Sequence, residues 1–238
     1  MNKGFLYENK IFDLMKNHQL LSTDFMNKSP AGCDNTQPDL ILNINNQDVN
    51  LELKESIKSQ AGGTSLRYKN NKFSLVKNIE GVSKEDLFDI LLSKKDDFDN
   101  FLSYHNTDCF PFVTTKSLWT ESVDKGLLKK TNIKVTSDSL FIENHYTSKN
   151  TFYIQIGKKG LYYMKEDIAN LGVPKFKGNI QLEIRPARSG SKLNSKGERI
   201  CSGILRIQAR IKNIKESPFN LENILTINKL KEISNLRK

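Results

Sequence analysis

Two acids and one amine stand close enough along this chain to share a single ion. Asp39 and Glu52 are separated by twelve residues, and Lys54 follows Glu52 by two. Asp39 lies in one alternating run, Pro38-Asp39-Leu40-Ile41-Leu42-Asn43-Ile44. Glu52 and Lys54 close a second, Val49-Asn50-Leu51-Glu52-Leu53-Lys54, with Asn45-Asn46-Gln47-Asp48 between the two. Such runs joined by a short Asn-rich link read as a β-hairpin. Pairing Ile44 with Val49 sets Leu42 against Leu51 and Leu40 against Leu53, which makes one continuous apolar face. The other face then carries Asp39, Ile41 and Asn43 beside Asn50, Glu52 and Lys54. In this register Asp39 falls across from Lys54 and diagonal to Glu52, at roughly 7 Å between backbones. Two carboxylates so placed can ligate one hard divalent cation, which lowers the pKa of a bound water and offsets developing negative charge.

A helix must precede this hairpin. Phe5, Ile11, Phe12 and Met15 recur at three-and-four spacing, which predicts an amphipathic helix over residues 4–17. Glu8 falls in that apolar stripe, and a carboxylate there demands a cationic or polar partner. The segment LSTDFMNKSPAGCDNTQP that follows is dense in Ser, Asn, Gly and Pro and reads as a loop.

With Pro38-Asp39, twelve residues, and then Glu52-Leu53-Lys54, the sequence resembles the PD-(D/E)XK nuclease superfamily over roughly residues 4–115. The resemblance implies an α/β (α+β) chain with a restriction-endonuclease-like mixed central sheet flanked by helices. It implies Mg²⁺, with Mn²⁺ as a substitute, held by Asp39, Glu52 and the carbonyl of Leu53. Lys54 would position and deprotonate the attacking water. Members often carry a Glu on the first helix, so Glu8 would contact the metal directly or through water. The implied activity is hydrolysis of DNA phosphodiester bonds. The exonuclease branch carries Gln-x-x-x-Tyr after the lysine strand, and none of the seven glutamines here is followed by Tyr at that spacing. A GxxxxGK[ST] loop is also missing, which argues against an ATP-driven helicase-nuclease and leaves a stand-alone endonuclease.

Past the hairpin, Gly62-Gly63-Thr64-Ser65 reads as a flexible loop and Lys72 to Lys77 as a short strand. Residues 83–104 read as one helix with Ser83 as N-cap, and Phe110 to Thr114 as the next strand. That order suits a right-handed crossover onto a sheet. Alternating runs at 133–136, 139–144, 151–156, 160–164, 179–185 and 202–212 predict a β-rich remainder, closed by a helix over 220–236. The expected organisation is a catalytic core over 1–115 and a β-rich basic elaboration over 116–238 packed on it, or one integrated domain.

Charge points to the partner. Residues 1–150 hold 19 Lys/Arg and 20 Asp/Glu, a net of −1, while residues 151–238 hold 18 and 7, a net of +11. Six of the seven arginines lie in the second part, and a polyanion is the natural partner for such a surface. Arg185, Arg188, Arg199, Arg206 and Arg210 offer planar forks for guanine edges or phosphates, and Lys158, Lys159, Lys192 and Lys196 suit phosphates. Lys58 and Gln60, just past the Glu52–Lys54 strand, are candidate phosphate contacts. Double-stranded DNA is the expected partner, cut by a homodimer where the site is palindromic. Three functions stay open: sequence-specific cleavage of the type II restriction kind, structure-specific cleavage of junctions or flaps, and DNA binding without catalysis. No apolar run is long enough for a membrane span, and Cys33, Cys109 and Cys201 are too dispersed for a disulfide framework or a zinc site. The expected place is the cytoplasm of a bacterium or phage-infected cell.

Overall fold

Helix-period and strand-period segments alternate irregularly along the chain. In a computed structural model they resolve into seven helices and ten strands among the described residues, 3–27, 37–76, 84–128, 131–134 and 140–235. In chain order these are α1 (Lys3–Asn17), α2 (Thr23–Met26), β1 (Leu40–Ile44), β2 (Gln47–Lys54), β3 (Gln60–Lys69), β4 (Lys72–Leu75), α3 (Lys84–Leu92) and α4 (Lys95–Tyr104). There follow β5 (Phe112–Thr115), α5 (Lys116–Asp124), β6 (Thr131–Lys134), α6 (Leu140–Thr147), β7 (Tyr153–Ile156), β8 (Gly160–Tyr163), β9 (Asn179–Leu193), β10 (Arg199–Lys212) and α7 (Ile224–Asn235). The chain is a mixed α/β protein in two units. The first gathers residues 1–61, 138–180 and 210–238, and the second residues 62–137 and 181–209. The boundary expected between residues 115 and 116 falls inside the second unit.

The first unit carries a four-stranded mixed sheet of order β1-β2-β7-β8. β1 and β2 are antiparallel, β2 and β7 parallel, and β7 and β8 antiparallel. The apolar face read from the alternation is present: Leu40, Leu42, Ile44, Val49, Leu51 and Leu53 are all buried in one core with Ile11, Phe12 and Met15 of α1. Phe5, expected on that helix face, is 41% exposed, and Tyr7 takes the buried place instead.

The hairpin register differs from the expected one by two residues. Leu40 pairs with Leu51, Leu42 with Val49, and Ile44 with Gln47. The cause is the turn. Asn45 and Asn46 both adopt positive φ, 55° and 59°, which makes a two-residue link of the type I′ kind rather than a four-residue one. Because side chains alternate with period two, a two-residue slip keeps every residue on its face while changing who stands opposite whom. Continued one step beyond β1, this register sets Asp39 level with Glu52, not with Lys54.

The parallel neighbour of β2 is not the strand after the helices of 84–104. It is β7, and the helix preceding it is α6, in a stretch expected to be a strand over 139–144. Ile142 and Tyr146, one helical turn apart, are both buried, and that spacing suits a helix as well as a strand suits the run's composition.

The second unit carries a sheet of order β4-β3-β10-β9-β6, with β5 also paired to β10. β5 pairs antiparallel with β10, and Phe110 just ahead of it bridges Tyr68 of β3 in the antiparallel sense, as β4 pairs with β3. The expected helix over 83–104 is broken into α3 and α4 at Ser93-Lys94, and Ser83 lies outside the described residues. Gly62 and Gly63 are in β3 rather than in a loop. A Cβ on Gly63 would sit 2.3 Å from the Ile207 carbonyl oxygen, so glycine lets the two backbones approach. His105 is buried among Phe101, Phe112 and Trp119, with Nδ1 3.1 Å from Thr114 Oγ1 and Nε2 2.9 Å from Ser122 Oγ. Both ring nitrogens are thus satisfied by uncharged groups, and burial lowers the imidazole pKa.

Candidate active site

Three carboxylates and one ammonium meet in the first unit. Asp39 sits just ahead of β1, Glu52 and Lys54 project from the same face of β2, and Glu8 comes from α1. The Asp39 Oδ2 accepts a hydrogen bond of 2.8 Å from the Leu53 amide, which ties the start of β1 to the middle of the Glu52-Leu53-Lys54 triplet. Lys54 is ion-paired with Glu52, and both side chains are largely shielded, 16% and 13% exposed. Glu8 is half-buried, and its Oε2 is buried without a hydrogen-bond partner among the described residues.

The electrostatics follow from crowding like charges in a poorly solvated place. Burial, reinforced by Glu52 and opposed by Lys54, pushes the Asp39 carboxyl up to about 7. Glu8 is raised for the same reasons, with burial foremost and Lys54 pulling the other way. Burial works against the Lys54 ammonium, but the carboxylates of Glu52 and Asp39 favour it, and its pKa is raised. Lys54 therefore keeps its proton throughout the neutral range.

Tyr146 of α6 completes the cluster. Its side chain is buried, its hydroxyl hydrogen-bonds to Glu52, and the Lys54 ammonium lies 5.9 Å from its ring centroid. Burial raises its pKa well above the ordinary phenol value, so the hydroxyl stays protonated and donates. Sequence reasoning missed Tyr146 because its segment read as a strand. The four-residue spacing from Ile142 was the available signal.

A second polar tie was also missed. Gln155 lies in β7 directly beside Leu53 and is fully buried. Its Nε2 donates to the Tyr7 hydroxyl at 3.2 Å and to Asn220 Oδ1 at 2.9 Å, and its Oε1 accepts from the Leu221 amide at 3.2 Å. Tyr7 also hydrogen-bonds to Glu222, whose carboxylate takes Lys10 at 2.5 Å. Two residues of α1 that flank Glu8 are thereby anchored to the strand beside β2 and to the segment before α7.

Comparison of the chain with protein-family models, with curated proteins and with solved structures returned no significant match. The reading of the site rests on its own geometry.

Among the described residues no group of three or more His, Cys, Asp or Glu is arranged to enclose a metal ion as the side chains stand, because Glu52 turns to Lys54 and Asp39 to the Leu53 amide. The donor chemistry fits a hard cation: three carboxylates, a buried oxygen of Glu8 with no partner, and a single ammonium to offset them.

The expected DNA contacts divide between the units. Lys58, Gln60, Lys158, Lys159 and Arg210 belong to the first, and Arg185, Arg188, Lys192, Lys196, Arg199 and Arg206 to the second. Lys58, Gln60 and Lys158 are exposed. Two others have partners within the chain: Lys159 pairs with Glu216 at 2.9 Å, and Arg210 donates to the Lys58 carbonyl at 2.5 Å. Arg185 is half-buried with an unpartnered Nε, while Arg188, Lys192, Lys196, Arg199 and Arg206 are exposed. No helix among the described residues is long and apolar enough to cross a membrane.

Proposed function

We propose that this chain is a divalent-metal-dependent endonuclease that hydrolyses DNA phosphodiester bonds, with sequence-specific cleavage of duplex DNA as its activity. One observation carries the reading: Glu52 is ion-paired with Lys54, Asp39 is hydrogen-bonded to the Leu53 amide between them, and Asp39 and Glu8 each feel both Glu52 and Lys54 in a shielded site. Burying three like charges is unfavourable, and a site that does so is poised to receive a cation.

Asp39, Glu52 and the Leu53 carbonyl would hold Mg²⁺ or Mn²⁺, with Glu8 supplying a further oxygen. When bound, the metal supplies a polarised water and charge for the phosphorane. Lys54 holds its proton, so it donates a hydrogen bond to water or phosphate and stabilises negative charge, in place of the base role implied by the family resemblance. Tyr146 steadies Glu52 by hydrogen bonding, and the exposed Lys58 and Gln60 lie within a few residues of Lys54 for phosphate contact.

The test is cleavage of plasmid DNA in Mg²⁺ by the purified chain and by E52A and K54A. Both variants are expected to lose cleavage while keeping duplex binding, and undiminished cleavage by either refutes the assignment. Sequencing the cleaved ends then separates the specificities. A recurrent motif marks restriction-like action by a homodimer, and ends confined to junctions or flaps mark a structure-specific enzyme. The Glu52–Lys54 ion pair favours one other reading, a DNA-binding protein without catalysis, for which wild-type plasmid stays uncut in both metals.

A further inference from the structure

The outer part of the β9–β10 pair is unlike the rest of its sheet. Up to Ile184, β9 is flanked on one side by β6, with Thr131 opposite Ile184, and beyond that point this edge has no partner among the described residues. The burial pattern changes at the same place. Leu182, Glu183 and Ile184 are buried, whereas every residue from Arg188 to Leu193 is exposed. On β10, β5 pairs with Ile200–Gly203 and Cys201 is buried, so the part that stands free as a two-stranded ribbon is the tip up to Arg199.

The ribbon's tip is stiff. Asn194 Oδ1 accepts from the amides of Lys196 and Glu198, both at 2.9 Å, and the Asn194 amide donates to the Glu198 carbonyl at 2.9 Å. Asn194 Nδ2 donates to Glu198 Oε2 at 2.8 Å, which occupies the one acid between residues 185 and 199. Against that acid stand Arg185, Arg188, Lys192, Lys196 and Arg199. Arg188, Lys192, Lys196 and Arg199 are exposed and make no ion pair or side-chain hydrogen bond among the described residues.

We infer that the tip of this ribbon is a preformed arm that enters the major groove of duplex DNA, with Lys192, Lys196 and Arg199 at the tip and Arg188 on the open β9 edge behind it gripping the phosphates. A B-form major groove, about 12 Å wide, admits a two-stranded ribbon, whereas the deep and narrow major groove of duplex RNA does not. The stiff tip lowers the ordering cost of binding. The inference rests on the DNA reading of the chain but not on its catalysis. The competing account of the same charges is edge protection, since cations on an unpaired strand prevent edge-to-edge association.

Salt-dependent binding separates the two accounts. Affinity for a mixed-sequence 30-bp DNA duplex, a probe of about three helical turns, is measured in EDTA across a salt series for the full chain and for R188Q/K192Q/K196Q/R199Q. Thermal unfolding confirms that the variant folds, and K192Q/K196Q alone serves as a milder version. Each phosphate contact contributes about 0.9 to the slope of log affinity against log salt, so the fourfold variant is expected to be shallower by about 3 to 4 and the double by about 2. Its affinity at low salt falls at least about tenfold, and the loss on an RNA duplex of equal length is small. An unchanged slope overturns the inference, and self-association of the variant on gel filtration with that unchanged slope assigns the charges to edge protection. Equal losses on DNA and RNA overturn groove entry. Because no metal is present, these outcomes are independent of whether E52A and K54A abolish cleavage.

Discussion

The Lys54 ammonium is ion-paired with Glu52 and also lies 5.9 Å from the centroid of the Tyr146 ring, while the Tyr146 hydroxyl hydrogen-bonds to that same Glu52. One buried phenol thus touches both the acid and the amine of the motif. A ring under an ammonium stabilises the cation through its quadrupole, and a hydroxyl donating to a carboxylate fixes that carboxylate's orientation.

Tyr146→Phe keeps the ring and removes the hydroxyl. The expected result is a loss of about 10- to 100-fold in cleavage or metal affinity, the usual effect of removing a partner of a metal ligand. Stability should fall by about 1–3 kcal/mol, since a buried carboxylate loses a hydrogen bond. Tyr146→Leu should add the loss of the ring beneath Lys54. Plasmid cleavage as a function of Mg²⁺ concentration, alongside thermal unfolding, checks both numbers, and a phenylalanine variant as active as the parent removes Tyr146 from the site.

The Asp39 carboxyl, pushed up to about 7, sets a pH dependence with a definite sign. The folded chain without metal binds a proton that the unfolded chain releases near its ordinary value of about 4. Its contribution to stability is therefore fully present below about 4 and is lost as pH rises through about 7. Unfolding temperature in EDTA should decline across that window, and Asp39→Asn should flatten the decline. Divalent metal should restore stability mainly above pH 7, and the Mg²⁺ needed for half-maximal cleavage should fall as pH rises through the same range. A Tm that is flat from pH 4 to 8 in EDTA contradicts the shift.

Gln155 orients α1 from the opposite side of the sheet strand that carries Lys54. Gln155→Leu is close in volume but strands the Tyr7 hydroxyl, Asn220 and the Leu221 amide, so roughly 2–4 kcal/mol of stability should be lost. Weaker metal binding is also expected, because α1 holds Glu8. The check is a double-mutant cycle with Glu8→Gln, read by calorimetric Mn²⁺ titration. Coupling means that Q155L weakens metal binding in the parent and leaves E8Q unchanged, while additive losses assign Gln155 to folding alone.

His105 makes the second unit sensitive to acid. Burial lowers its pKa, so the folded chain resists a proton that the unfolded chain accepts near 6.5. Stability is complete above that range and declines as pH falls below it. His105→Gln should remove the slope while lowering stability at pH 8, which denaturant unfolding at pH 8, 6.5 and 5.5 measures. A parent slope retained in the variant assigns the acid sensitivity to other groups.

Period-two alternation over 38–54 was sufficient to place Asp39, Glu52 and Lys54 on one polar face and Leu40, Leu42, Leu51 and Leu53 in the core. That is a local property of a strand, written in consecutive residues. Helix α1 and the place of Glu8 on it were legible for the same reason, with Phe5 and Tyr7 exchanged at the margin of the stripe. Which residue stands opposite Asp39 was not legible from burial, since slips of two residues leave the apolar face intact. The positive φ at both Asn45 and Asn46 decided it. Tyr146 and Gln155 reach the motif only because β7 pairs in parallel with β2 after a long excursion of the chain. Parallel pairing requires a distant crossover and leaves no mark in the local pattern of either strand, so only the tertiary structure determined that Tyr146 and Gln155 join Asp39, Glu52 and Lys54.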